Sequence, residues 1–373
     1  LTLAAVHFVH DVFTAFLPPL LPLLIKKLDL SLQQAGWLDF FVRIPSMFNP
    51  LIGALIDRGG FARWLVIIAP AASAVTMCLA GLAPTYGLLV ALLLACGISV
   101  AALHVSAPVI MAEVAGDQMG RGMSFFMVGG ELARVTGPIV AVQAVAALEL
   151  EGIWRMIPAA LAASAVLWWR LARIPVRRKG ARPVGLLILW RRMARVILAI
   201  FGILFTRSFM VATLTTFLPT FLVSQGRSLA FASVALAVFE LAGAAGAILG
   251  GVLSDRIGRR AVLLGTTLFS PLLAFGFLHA EGPLLLPVLA VLGFVTLAIT
   301  PVLMAVMIEH AGEDRAAANG TYMMMAFPIR SALTVVAGAL GDALGMYQAY
   351  LVCAALALLG VPFVFILPRR TIR

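Results

Sequence analysis

The chain has 373 residues, 62% of them hydrophobic and 12% charged, and its mean hydropathy is +1.08. Soluble domains run at about 45–50% apolar and about 25% charged residues, so this composition excludes a water-soluble globular protein and points to an integral membrane one. The net charge of +11 suggests a nucleic-acid partner only until the basic residues are located: they gather at one set of loops, as a membrane orientation signal does, and no such partner is expected. The three cysteines, Cys78, Cys96 and Cys353, all fall in apolar runs, which argues for no disulfide framework and no metal site.

A spanning helix needs about 20 mostly apolar residues. With breaks at charged, Pro and Gly clusters, the sequence holds twelve such runs, at 2–25, 32–56, 64–83, 86–111, 122–147, 153–171, 196–223, 229–253, 261–279, 284–308, 316–340 and 345–367. The first is long and has no small-residue cleavage site behind it, so it reads as a span and not as a cleavable signal. The longest polar break, RLARIPVRRKGARPVG at 170–185, is followed by Arg191, Arg192 and Arg195. It divides the chain into a six-helix unit at 1–172, a basic linker at 173–195 and a second six-helix unit at 196–373. With both termini cytoplasmic, that side holds Arg58, Arg63, Arg121, the linker, Arg256, Arg259, Arg260, Arg315 and the tail. The outer loops hold only Lys26, Lys27, Arg155 and Arg227. This is the positive-inside asymmetry of a multi-pass protein, expected in a bacterial-type inner membrane. The linker's charge reads as that orientation signal plus contact with anionic lipid.

An internal repeat supports the division. GALIDRGG, from Gly53 to Gly60, lies between the second and third runs, and GVLSDRIGRR, from Gly251 to Arg260, between the eighth and ninth. Aligning Asp57 with Asp255 brings the rest of the two halves into approximate register, as in transporters built from two parallel six-helix repeats. The pattern G-x-x-x-D-[RK]-x-G-[RK]-[RK] at these places resembles the loop signature of the major facilitator superfamily. Its second copy is complete in Gly251, Asp255, Arg256, Gly258, Arg259 and Arg260; the first keeps Gly53, Asp57, Arg58 and Gly60 and departs at Phe61 and Ala62. The resemblance implies an all-α membrane protein of twelve transmembrane helices in two pseudo-symmetric six-helix bundles, with these loops acting in gating and not in ligand contact. An Asp after a helix, set to meet a neighbouring helix N-terminus, would exploit the helix dipole. Within the superfamily the chain is most similar to the fosmidomycin-resistance-protein branch of exporters. That similarity rests on the H-x-x-x-D of His7 and Asp11, on His104, and on VGGELARVTGP from Val128 to Pro138. The branch often places Pro-Glu after the fourth-helix histidine, where this chain has Val105 and Ser106.

Away from the loops and helix ends, eight charges lie inside the runs: Asp11, Asp39, Glu131 and Glu240 against Arg43, Arg134, Arg207 and Arg330. Each costs at least about 2.5–3.5 kcal/mol in lipid on insertion scales, so they must face a wet cavity or one another. Asp39 with Arg43, four apart, and Glu131 with Arg134, three apart, can pair on their own helices, either as braces or as parts of a site. Arg207, Glu240 and Arg330 have no partner on their own helix and must pair across helices or meet a ligand. At about 1.5 Å per residue, Asp11, Arg43, His104 and Glu131 all lie roughly 10–20 Å deep, near the level where such transporters bind substrate.

In HFVHDVF, one helix face can carry His7 with either His10 or Asp11. A carboxylate beside histidines can be brought into the working pH range by hydration and ligand occupancy, which makes Asp11, with His7 or His10, a candidate proton carrier. The alternative is a polar brace to the fourth and fifth helices. The candidate proton-coupling set is Asp11, His7, His10, His104 and Glu240; the candidate substrate set is Arg43, Glu131, Arg134, Arg207, Arg330 and Asp39. With no H-E-x-x-H, G-x-S-x-G or phosphate loop in the sequence, an enzyme is not expected. The reading is a monomeric secondary transporter that needs no cofactor and uses the proton gradient to export a small organic compound. Guanidinium groups favour an anionic or zwitterionic one. A lipophilic-cation exporter using Asp11 and Glu240, or a proton symporter importing a metabolite, remain open at this stage.

Overall fold

The computed structural model describes residues 1–49, 51–52, 55, 61–115, 119–171, 186–312 and 314–368. Among these there are twelve spanning units and no strand. They are α1 (Thr2–Leu28, broken near Phe16), α2 (Leu32–Arg43, running on as the 3₁₀ turn Ile44–Phe48), α3 (Ala62–Ala80), α4 (Tyr86–Ala115), α5 (Met119–Leu148) and α6 (Ile157–Leu171). The second half holds α7 (Leu186–Ala212, continuing to Ser224), α8 (Leu229–Ile257), α9 (Arg259–Leu278), α10 (Leu285–Glu309), α11 (Arg315–Leu344) and α12 (Met346–Leu358, then Val361–Ile366). Because the number is even, both ends of the described chain lie on one face, called here the near face; the opposite one is the far face.

Local sequence explains the irregularities. Helix α1 breaks where Pro18 and Pro19 start a new helical segment, since proline has no N–H to continue the old one. In α7, Thr213–Phe217 form a π-turn just ahead of Pro219, at the depth of the buried charges. Single glycines with positive φ, Gly258 at 92° and Gly345 at 83°, each separate two helices, a conformation that a Cβ would strain. Helix α7 starts at Leu186, ten residues before the expected run, because Leu189, Met193 and Val196 recur at helical spacing and are buried on one face.

Ten of the helices are long and apolar enough to cross a membrane by themselves. The exceptions are α2, which carries Gln33, Gln34, Asp39 and Arg43, and α6, which has 15 residues after the 3₁₀ turn Ile153–Met156. The charges that weaken α2 as a lipid-facing helix are explained by its neighbour: α2 packs on α11 of the other bundle. The bundles also meet where α5 packs on α8 and where the Leu17–Leu28 part of α1 packs on the end of α7. Inside the bundles, α1 packs on α5 and α3, α4 on α3 and α2, α8 on α10, and α7 on α11 and α12. Phe16, Leu20, Leu38, Met77 and Leu89 lie in the first bundle's core, and Leu289, Leu292, Leu303 and Phe239 in the second's. All three cysteines are buried and unbridged.

Small residues let these helices meet. A Cβ on Gly246 of α8 would stand 2.7 Å from the carbonyl carbon of Phe294 in α10. Gly246→Val should therefore lower stability by about 1–3 kcal/mol through overpacking. Gly265→Ala in α9, where an added Cβ meets nothing within 4 Å, should be neutral or mildly stabilising. Thermal unfolding of both purified variants checks this.

Candidate functional site

Two polar groups interrupt the apolar interior. The first belongs to α1, α4 and α5. His7 Nδ1 lies 2.7 Å from the carbonyl oxygen of Phe126, and since a carbonyl only accepts, that nitrogen carries the hydrogen. The ring also stacks on the Phe126 side chain at 4.0 Å between centroids. Gly130, one turn on, makes room for it: a Cβ there would stand 2.7 Å from His7 Nε2. His104 is oriented in the same way, its Nδ1 donating to the Val100 carbonyl at 2.9 Å. The Asp11 carboxylate joins the set, with Oδ1 2.7 Å from His10 Nδ1 and Oδ2 3.1 Å from His7 Nε2.

The tautomers follow from these partners. His7 has committed its Nδ1 hydrogen to a carbonyl, so its Nε2 faces Asp11 Oδ2 as lone pair to lone pair unless a proton sits on one of them. That Nε2 is buried and has no good hydrogen bond to any described partner. His10 is wholly buried; its Nε2 lies 3.4 Å from Ser99 Oγ, whose own hydrogen goes to the Cys96 carbonyl. His7, Asp11 and His104 place one ligand atom each within 4.8 Å of one another, so the cluster has the donor set to share a proton or converge on a cation.

The second group runs across the bundle interface. Asp39, 2% exposed, accepts two bonds from Arg43 Nε at 2.9 and 3.0 Å and lies 3.4 Å from Thr334 Oγ1 of α11. Glu131 pairs with Arg134, as its spacing on α5 allows, and Arg134 also reaches Glu240 of α8 at 3.6 Å. Glu240 thus finds its cation in the opposite bundle. Arg330 does not pair closely with a carboxylate among the described residues. It donates to Thr215 Oγ1 in the α7 π-turn at 2.9 Å, and its Nε is buried without a partner. Arg207 donates to the Thr296 carbonyl at 2.6 Å, with Tyr322 nearby and no carboxylate partner among the described residues. By their partners, Asp11 sits with the histidines, Asp39, Arg43, Glu131, Arg134, Glu240 and Arg330 gather where the bundles meet, and Arg207 lies within the second bundle between α7 and α10.

Of the gating-loop residues, Gly53, Asp57, Arg58 and Gly60 lie outside the described residues. In the second loop Gly258 makes the turn after α8, and Asp255 pairs with Arg259 at 2.6 Å in the first turn of α9. Arg259 also binds Glu309 at 2.9 Å, tying α9 to α10. Arg260 lies over the Phe365 ring at 4.8 Å, Arg256 is exposed, and nothing stands within 4 Å of a Cβ built on Gly251. Asp255 thus meets its own successor helix. Sequence reasoning missed Ser99, Phe126, Thr215, Thr296 and Thr334, because a lone hydroxyl or a carbonyl in an apolar run carries no pattern.

The sequence matches the family model described as Major Facilitator Superfamily over residues 3–327 and again over 200–373. It is 26% identical over 376 residues to the fosmidomycin resistance protein of Escherichia coli (strain K12), covering 96% of this chain and 90% of that one. Two solved structures share the fold. One is a bacterial homolog to the human lysosomal transporter Spinster, inward-facing and occupied, with TM-score 0.81, 14% identity, and 98% of this chain and 95% of that one covered. The other is the nucleoside transporter NupG, with TM-score 0.78, 17% identity and 99% of each chain covered.

The buried Asp39–Arg43 pair gives a stability test. Arg43→Gln strands a buried carboxylate and should cost about 3 kcal/mol, the low end of the usual range because Arg330 remains within electrostatic reach of Asp39. Asp39→Asn in the same protein should recover most of that loss in denaturant unfolding.

Proposed function

Because the chain belongs to the Major Facilitator Superfamily of membrane transporters, we propose that it is a proton-coupled antiporter that exports a small anionic or zwitterionic organic compound by alternating access. The observation that carries the substrate class is the state of Arg330 and Arg207. Both guanidinium groups sit in membrane-spanning helices with hydroxyl or carbonyl partners where a carboxylate would be expected, and Arg330 keeps a buried, unpartnered Nε. A carboxylate, phosphate or phosphonate group fits a guanidinium bidentately and would supply the missing acceptor. The name of the relative, a fosmidomycin resistance protein, supports efflux as the direction.

The coupling proton is assigned to His7 and Asp11. With Asp11 ionised and His7 neutral, two lone pairs face each other at 3.1 Å; one proton makes the approach attractive. Helix α5 links this place to the interface: Gly130 cradles His7, Glu131 follows it, and Arg134 one turn later meets Glu240 of the other bundle. A substrate anion competes with Glu240 for Arg134, so loading either the proton or the substrate alters the same inter-bundle contact. His10 holds Asp11 in place, and the His104 ring lies edge-on to both histidines. In this reading residues 1–172 and 196–373 are the moving bundles, both termini and the basic 173–195 segment face the cytoplasm of a bacterial inner membrane among anionic lipids, and the working unit is a monomer.

A thermal-shift screen of the purified protein at pH 6 and pH 8 tests the substrate class, using organic anions including phosphonates, zwitterions and lipophilic cations. A ligand at a hundred times its Kd stabilises by about 2.7 kcal/mol. Anions or zwitterions should stabilise, and Arg330→Met or Arg207→Met should remove the shift. Stabilisation by cations alone, dependent on Asp11 or Glu240, overturns the anion assignment. In proteoliposomes, Asp11→Asn should abolish transport driven by a pH step and leave ligand stabilisation in place; intact pH-driven transport removes the proton assignment.

A further inference from the structure

The four N–H groups that open a helix have no acceptor within it and must find one elsewhere. At the far-face start of α2 all four are accounted for, but not by one bundle. Ser31 Oγ accepts from Gln34 N at 3.1 Å, and Gln34 Oε1 accepts from Ser31 N at 2.9 Å, a reciprocal capping box inside the helix itself. The other two, Leu32 N and Gln33 N, donate to Asp342 Oδ1 and Oδ2 at 2.7 and 2.8 Å. Asp342 belongs to α11, in the opposite bundle.

We propose that Asp342 is the gating residue of the far face: its carboxylate caps α2 across the bundle interface, and this cap must break each time that face opens. Three features support the assignment. A carboxylate at a helix N-terminus gains from both the dipole and charge-assisted hydrogen bonds. The backbones around it touch, since a Cβ on Gly338 would stand 2.7 Å from the Leu32 carbonyl carbon and one on Gly36 would stand 2.7 Å from the Thr334 carbonyl oxygen. No solute passes such a seam while it is closed. The capped groups also lie at an exposed helix end, where water replaces the lost partners on opening, so the latch is reversible. The proposal rests on the two-bundle fold and not on the identity of the substrate or of the coupling ion.

The test uses the full chain in lipid nanodiscs with pairs of spin labels, which the three buried native cysteines do not disturb. One pair, Leu82→Cys with Glu281→Cys, spans the far face; the other, Phe61→Cys with Ile257→Cys, spans the near face, and all four positions are exposed. Asp342→Ala should add a longer-distance population to the far pair and a shorter one to the near pair. Asp342→Asn, which keeps an acceptor oxygen and loses the charge, should shift both pairs in the same senses to a smaller extent, and it carries the test if the alanine variant does not fold. Ser31→Ala frays the same helix end without touching the inter-bundle bonds, and should move neither pair. Parent-like distances in both Asp342 variants overturn the proposal. So does a Ser31→Ala shift equal to that of Asp342→Ala, or a broadening of both pairs in one direction, since each would mark simple loosening.

Discussion

The α2–α11 seam is the contact on which the rest of the arrangement depends. At every fourth residue α11 turns Arg330, Thr334, Gly338 and Asp342 toward one side, the spacing at which a helix presents a single face. Helix α2 meets this row with Asp39 at Thr334, Gly36 beside the Thr334–Val335 backbone, and Leu32 and Gln33 at Gly338 and Asp342. One row of residues therefore holds the buried charges at depth and closes the surface above them. Neither end of the seam can rearrange without the other, because side chains and backbones along it are in direct contact.

The buried charges obey the same economy of space. A carboxylate in a membrane protein is tolerated when a cation stands within reach, and Asp39, Glu131 and Glu240 each have one. Glu240 takes its partner from the other bundle, and Arg134 serves two carboxylates at once. Arg330 and Arg207 differ in kind. They are held by neutral oxygens, which orient a guanidinium without neutralising it, so positive potential is left in the interior on the α7 and α11 side. The histidine cluster lies on the first bundle's side, and α5 carries Gly130 against His7 and Arg134 against Glu240.

Much of the architecture was legible from the sequence. Apolar run length, the placed basic loops and the repeated Gly-Asp-Arg motif carry the twelve-helix plan, because lipid leaves the backbone few alternatives to helix. The weak point was the start of α7, where Arg191, Arg192 and Arg195 looked like linker although Leu189, Met193 and Val196 continue the helical stripe. For the site, the i,i+3 and i,i+4 pairs on α2 and α5 could be read directly, since one helix sets their distance. Partners across helices could not: nothing local links Arg134 to Glu240, Arg330 to Thr215, or Asp342 to Leu32. In the sequence Asp342 is an ordinary helix-end acid, because its role depends on which helix start lies opposite.

Gly258 and Gly345 set the stiffness of the second bundle. Each joins two antiparallel helices through one residue in a conformation that other residues adopt only under strain. A connection that short leaves no slack, so α8 with α9, and α11 with α12, cannot slide past each other by a helical turn. The second bundle thus holds two stiff hairpins that must tilt as bodies. Shape adjustment around a cargo then falls to side chains on the hairpins and to the π-turn of α7, whose backbone is the irregular stretch beside Arg330.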